Sequence, residues 1–248
     1  GEGGKPGPCP EPGGDEPRAG NGKTGGLPSD DDLAGARIEP VKATGSVHGA
    51  GGINKVTIGD KSYFHKQASG IEAAREEATS ELASLAGVGV PAARRAAVGG
   101  KDGVLSDWVD GAPGDKDKAA FHAAVKADPE SATKHALFNF LAGAEDRHAG
   151  NYIVGKDGSI SSLDHSDTLT PRTPQDAAEL MGQDDILAAM EKGQGGGDIR
   201  FHAGAVREIA GQVNKMAGHL RDKGMDSAAK ALEARGRAIQ MLAREEEP

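Results

Sequence analysis

Cysteine is nearly missing: Cys9 is the only one in 248 residues. A single thiol forms no internal disulfide and completes no zinc–thiolate site. Aromatic residues are few, with one Trp, two Tyr and five Phe, so the core has to be built from Leu, Ile, Val and Ala. No stretch reaches the roughly 18 consecutive apolar residues that a membrane-crossing helix needs. Positive charge is in deficit, 29 Lys and Arg against 38 Asp and Glu, for a net charge of −9. That balance disfavours nucleic acid or an anionic membrane as an electrostatic partner. The chain opens on glycine rather than methionine and shows no apolar signal segment. It reads as a monomeric domain of a longer chain, either cytoplasmic or delivered as an effector.

Glycine and proline are plentiful and unevenly spread. Residues 1–35 hold 11 Gly and 6 Pro and, as large aliphatics, only Leu27 and Leu33. Such a segment buries too little apolar surface to offset its ordering entropy, so residues 1–37 are expected to be a disordered linker. Gly22-Lys23-Thr24 imitates a phosphate-binding P-loop, but Pro17 stands where the motif needs its first glycine, and no strand precedes it.

Beyond the linker the pattern divides in two. Ile38–Val41, Ile53–Ile58 and Lys61–Gln67 read as strands, the last two joined at Gly59-Asp60 as a hairpin. Ile71–Ala86 reads as a helix with Ile71, Ala74, Ala78, Leu82 and Leu85 on its apolar face, stopped by Gly87. Ala93–Val98 and Val104–Val109 add two more strands. The second half turns helical at Asp117–Lys126 and Ser131–Gly143. A short hairpin, Tyr152–Val154 with Ile160–Leu163, interrupts it, and helix resumes from Gln175 with breaks at Gly193–Gly197 and near Gly224. The expectation is an α+β chain of two lobes. The first, about residues 38–110, is a small antiparallel sheet with one helix; the second, about 111–248, is mainly helical.

The chemistry concentrates where the helix at 131–143 gives way to the hairpin. Asp146-Arg147-His148-Ala149-Gly150-Asn151 follows that helix, and Leu163-Asp164-His165-Ser166 follows the hairpin. Phosphoryl transfer needs a carboxylate to orient the acceptor hydroxyl and oxygen ligands for the divalent ion on the phosphates. Asp and Asn five residues apart match the D-x-x-x-x-N spacing of a kinase catalytic loop, and the hairpin returns Asp164 toward Asn151. His148 is placed to donate to the phosphate in transit. Each of these residues alone would be an ordinary solvated loop residue; helix, loop, hairpin and acid in that order are what give the set weight. Upstream, Gly51-Gly52 at a strand boundary allows close backbone approach to phosphates. Lys66 ends a strand from which an amine can reach them, and Glu76, ten residues on, can hold that amine. Glu77 and Glu81 compete for the same role, and periodicity does not choose among the three. No pair among the eight histidines has zinc-like spacing with other ligands.

These motifs, with Arg75-Glu76 and Gly87-Val88-Gly89-Val90-Pro91, resemble the atypical kinases of the phosphoinositide 3/4-kinase and actin-fragmin-kinase group and their bacterial relatives. The likeness spans about residues 45–168. It implies a two-lobed protein-kinase-like fold that uses ATP with Mg²⁺ or Mn²⁺. The hydroxyl that takes the phosphate is expected on a protein Ser or Thr, with a lipid such as a phosphoinositide, or a small molecule, as the alternative; an inactive kinase-shaped binding module in a multidomain phage-like or secreted effector protein is the other reading. By motif position Gly51 and Gly52 would cover the phosphates, Lys66 would bind them and Glu76 would anchor Lys66. Asp146 would be the base, Asn151 and Asp164 would hold metal, and Leu105–Trp108 would be the strand against which adenine docks. Glu145 directly before Asp146 departs from the group's pattern and leaves open which acid works. The short segment after Asp167 argues against regulation by loop phosphorylation.

Overall fold

A computed structural model of the chain describes residues 26–41 and 52–245. A five-stranded antiparallel sheet, ordered β1-β2-β3-β5-β4, forms the first lobe. Its strands are β1 (Arg37–Pro40), β2 (Ile53–Ile58), β3 (Lys61–Gln67), β4 (Ala93–Val98) and β5 (Lys101–Asp107). The β2–β3 hairpin forms where expected, with Gly59 at φ 60 in the turn. Helix α2 (Gly70–Ala86) crosses from β3 to β4. Ser69 caps it through a reciprocal capping box with Glu72, and Gly87 closes it at φ 65, a left-handed conformation that glycine adopts without steric cost. The buried stripe of α2 runs through Ala73, Ala78, Leu82, Ala83 and Ala86. Ile71, expected on that stripe, is instead 68% exposed, because it lies in the first turn ahead of the point where α2 meets its neighbours.

The expected linker shortens. Residues 1–25 lie outside the described residues, and the last part of the expected linker, from Gly26, carries a short helix. Ser29 caps the four-residue helix α1 (Asp30–Leu33) in a capping box with Asp32. Leu33 packs on the outer face of the sheet with Val56, Tyr63, Ala96, Val98 and Leu105, and Leu27 packs beside them. The two aliphatics of this segment suffice because the sheet offers a ready apolar face. Burying Leu33 contributes on the order of 1.5–3 kcal/mol.

The second lobe is helical around a small sheet. Strand β6 (Gly111–Pro113), which composition does not announce, joins the expected hairpin β7 (Tyr152–Gly155) and β8 (Ile160–Ser162) in the order β6-β7-β8. Around it stand α3 (Lys118–Ala127), α4 (Pro129–Ala142), α5 (Pro174–Met181), α6 (Asp185–Gly193), α7 (Ala203–Asp222) and α8 (Asp226–Glu245). The long helical tract expected from Gln175 is split between α5 and α6, where Asp184 caps a new helix by accepting the Ile186 N–H. Leu82, Ala83 and Ala86 of α2 share one core with Leu137 and Leu141 of α4 and Ile209, Val213 and Met216 of α7. The helix that belongs to the first lobe in sequence is thus packed into the second, which ties the two lobes together beneath the cleft. No helix among the described residues is long and apolar enough to cross a membrane.

Candidate active site

The β3–β5 register sets which side chains face the cleft. Lys66 pairs with Val104 on β5 and with Ile53 on β2, so with a period of two Lys66, Val104 and Ser106 share a face. That face meets α2. The Lys66 Nζ donates to Glu76 Oε1 at 3.0 Å and to Asp164 Oδ1 at 2.6 Å. The choice among three glutamates is settled by their partners. Glu77 takes Arg95, and Glu81 takes His219 and Lys223.

The three charges shift one another. Burial alone would lower the Lys66 pKa, but the Glu76 and Asp164 charges outweigh it and hold it above 10.5. Burial pushes Asp164 up, and Lys66 with the Ser166 hydroxyl more than reverses it, leaving Asp164 below 3.8. Glu76 goes the other way: burial, joined by repulsion from Asp164, raises it despite Lys66. A raised lysine contributes stability that is present in full below its unfolded value of 10.5 and is lost as pH climbs through the folded one. The melting-temperature gap between wild type and Lys66→Met is therefore expected to stay constant from about pH 6 to 9 and to close above about pH 10.5. A gap that narrows already between about pH 6 and 9 would contradict the assignment.

The catalytic-loop candidate is built from the end of α4. Gly143 ends that helix at φ 61, and Ala144 N–H bonds back to Asn139 O at 2.9 Å. The chain then turns at Asp146, makes a short 3₁₀ turn at Ala149–Asn151 and enters β7. Three non-glycine residues among those described have positive φ: Asp146 at 51°, Asp164 at 54° and Leu169 at 57°. Each costs on the order of 1–3 kcal/mol and persists only where its surroundings enforce it. Two of the three are the aspartates singled out from sequence.

Asn151 donates its Nδ2 to the Asp146 main-chain oxygen at 2.6 Å, which leaves its amide oxygen as the ligand-capable atom. Leu163 N–H bonds to Asn151 O at 2.8 Å, so β8 delivers Asp164 beside the loop. The Asp146 side chain is 77% exposed, with His148 Nε2 3.8 Å away. His148 Nδ1 accepts the Gly150 N–H at 3.0 Å. That bond assigns the ring proton of the neutral form to Nε2, on the Asp146 side. Glu145 is taken by Arg172 in an ion pair, so of the two adjacent acids Asp146 is the more exposed, with His148 beside it.

One expected nucleotide contact is displaced. Leu105 pairs with His65, not Lys66, and lies fully buried on the outer face under α1. It cannot line the cleft; Ser106 and Val104 occupy that face instead. Trp108, just past β5, donates Nε1 to Asp110 at 3.0 Å, and Lys55 lies 4.8 Å from its ring centroid. Lys55 shares the sheet face of Lys66, one strand over, so the indole stays at the cleft edge. Gly52 sits one step before Ile53, the partner of Lys66, and a Cβ there would come within 3.2 Å of the Gln67 amide. Gly51 lies outside the described residues. A small cavity of about 40 Å³ is lined by Glu76, Ser80, Val90, Pro91, Ser106 and Asp164.

No protein-family model matches the sequence, and no curated protein matches it. Among solved structures, the crystal structure of a Helicobacter pylori proinflammatory kinase, CtkA, superposes with a TM-score of 0.57 at 13% identity, covering 86% of this chain and 98% of that one. The fold is kinase-like. In this chain the sheet, α2 and the segment from α4 to β8 carry Lys66, Glu76, Asp146, Asn151 and Asp164.

Residues that the sequence left without a role complete the candidate site. Arg147, 4% exposed, donates Nη1 to Leu163 O and Asp164 O, both at 2.9 Å, and Nη2 to Ser162 Oγ. Its guanidinium also lies 5.2 Å from the Tyr152 ring centroid. Asp185 accepts the Ala149 N–H at 2.7 Å and donates its own N–H to Arg147 O. Asp184 accepts from Tyr152 Oη and Asn139 Nδ2. Burial raises the Asp184 pKa. The Asp184-Asp185 pair reads in sequence only as a helix start; nothing there says that it holds a loop some 36 residues upstream.

A divalent ion fits the donors present. Among the described residues no cluster of three His, Cys, Asp or Glu side chains forms a cation cage. One amide oxygen and one carboxylate are hard ligands, suited to an ion that completes its shell with phosphate oxygens and water.

Proposed function

We propose that this chain is an ATP-dependent phosphotransferase that moves the γ-phosphate to a hydroxyl, most simply a Ser or Thr of a protein. The observation that carries this reading is the Lys66 amine held between Glu76 and Asp164, on the wall of the cleft that faces the Asp146–Asn151 loop. Lys66 would bind the phosphates, with Gly52 at the neighbouring strand boundary allowing close backbone approach. Asn151 and Asp164 would hold Mg²⁺, which when bound neutralises charge on the phosphates. Asp146 accepts the proton of the attacking hydroxyl and orients it, and His148 Nε2–H stands beside it to donate to the phosphate. A base this exposed is open to an acceptor displayed on another protein. The acidic chain disfavours an anionic lipid surface as the source of the hydroxyl.

The test is labelled ATP with Mg²⁺ and a panel of proteins, with and without Asp164→Ala. Transfer by wild type and at least an approximately hundredfold loss in the variant are expected. Nucleotide binding with equally negligible transfer by both would make the chain a kinase-shaped binding module.

A further inference from the structure

We propose that Arg235, on the last helix, is a positioning residue for the candidate active site and acts on it through Arg172. Arg235 is fully buried. It donates Nε to Leu141 O at 2.8 Å and Nη1 to Arg172 O at 3.0 Å, and its Nη2 is buried with no hydrogen-bond partner. No carboxylate pairs with it among the described residues; the charge that acts on it is the guanidinium of Arg172. Burial and that like charge bring its pKa down to about 10. A cation buried without a counter-ion costs free energy, and the C-terminal carbonyls of α4 offset it only in part.

What the arrangement yields is a junction. Leu141 belongs to the last turn of α4, which leads through Gly143 into Glu145-Asp146. Arg172 lies eight residues beyond Asp164. Arg235 grips the main chain of both, and Leu169 N–H to Ala142 O, 2.8 Å, ties them a second time. Arg172 then turns its side chain onto Glu145 and its Nε onto Thr170 Oγ1 at 2.7 Å. The connection from α8 to the residue beside Asp146 is therefore continuous. Two glycines make room for it. A Cβ on Gly143 would lie 3.2 Å from Arg235 Nη1, and one on Gly236 would lie 2.3 Å from Val213 Cγ1. Gly236 lets α8 seat closely on α7, which sets Arg235 at the junction.

The turnover arm of the test rests on the phosphotransferase reading; the exchange arm does not. Full-length Arg235→Lys keeps a buried cation but cannot span both carbonyls. Hydrogen exchange is expected to quicken about tenfold or more in peptides covering residues 140–147 and 168–174, with those covering 53–67 unchanged. The kcat is expected to fall about tenfold or more while KM for ATP stays within about twofold. In the Arg235→Lys, Arg172→Met double variant the kcat losses should not multiply. Unchanged exchange in both peptides, or multiplicative losses, would overturn the proposal. Arg235→Met is the stronger truncation; should it fail to fold, the lysine variant carries the same measurements. If wild type transfers no phosphate, the functional reading fails, and the exchange result still decides whether Arg235 holds the two segments.

Discussion

Asp146→Asn is expected to leave ATP bound and to stop its γ-phosphate from moving. The kcat should fall by about 10²–10⁴, the range for loss of a positioned general base, with ATP affinity within about twofold of wild type. The structural cost should be small. The Asp146 carboxylate is solvent-facing, and what the fold takes from this residue is its main-chain oxygen, which accepts the Asn151 Nδ2. Asparagine also tolerates the positive φ of 51°. Lys66→Ala should behave in the opposite way. It removes the cation between two carboxylates, so nucleotide affinity should drop together with turnover. Calorimetric ATP titration of both variants beside single-turnover transfer separates the roles. Equal loss of affinity in both would break the division between a base and a phosphate ligand.

Much of this site was legible from sequence because its parts are local. Alternation places Ile53–Ile58 and Lys61–Gln67 as a hairpin, and a hairpin fixes register, so the position of Lys66 on β3 follows from the turn at Gly59-Asp60. The D-x-x-x-x-N spacing and the hairpin behind it were read directly, and the structure joins Asn151 to Leu163 by a main-chain bond. What failed was facing. Leu105 was assigned to the cleft through its strand, yet the register opposite Lys66 gives the cleft to Val104 and Ser106. A one-residue difference reverses the face of a strand residue. The choice among Glu76, Glu77 and Glu81 stays open in the sequence for a related cause: these three acids of α2 are sorted by Lys66, Arg95, His219 and Lys223, which come from other elements. Helix α1 lies inside the expected linker because composition counts the aliphatics in a segment and not the apolar face waiting for them.

Arg147 marks the limit of motif reading and carries the largest expected effect on stability. In the sequence it is the middle of Asp-Arg-His, with nothing to show that it faces inward. In the fold it is the hub that makes Asp146, Asn151 and Asp164 one site. Its two 2.9 Å bonds reach the carbonyls of Leu163 and Asp164, a third reaches Ser162 Oγ, and its own carbonyl is held by Asp185 N–H. Hydrogen bonds to a charged group contribute about 1.5–3 kcal/mol each, and relief of the buried charge returns part of that when the guanidinium is removed. Arg147→Ala is therefore expected to lower stability by about 3–4 kcal/mol, read as a fall in the urea midpoint with the slope unchanged. Arg147→Lys should recover little, because one ammonium cannot reproduce the planar fork that reaches two successive carbonyls. Under conditions where either variant is still folded, transfer should be lost as well, since Asp164 sits at a φ of 54° that its neighbours must enforce. Without Arg147 on its carbonyl, that backbone is free to relax and carry the carboxylate away from Lys66. A folded Arg147→Ala protein with wild-type turnover would show that Asp164 is held from elsewhere.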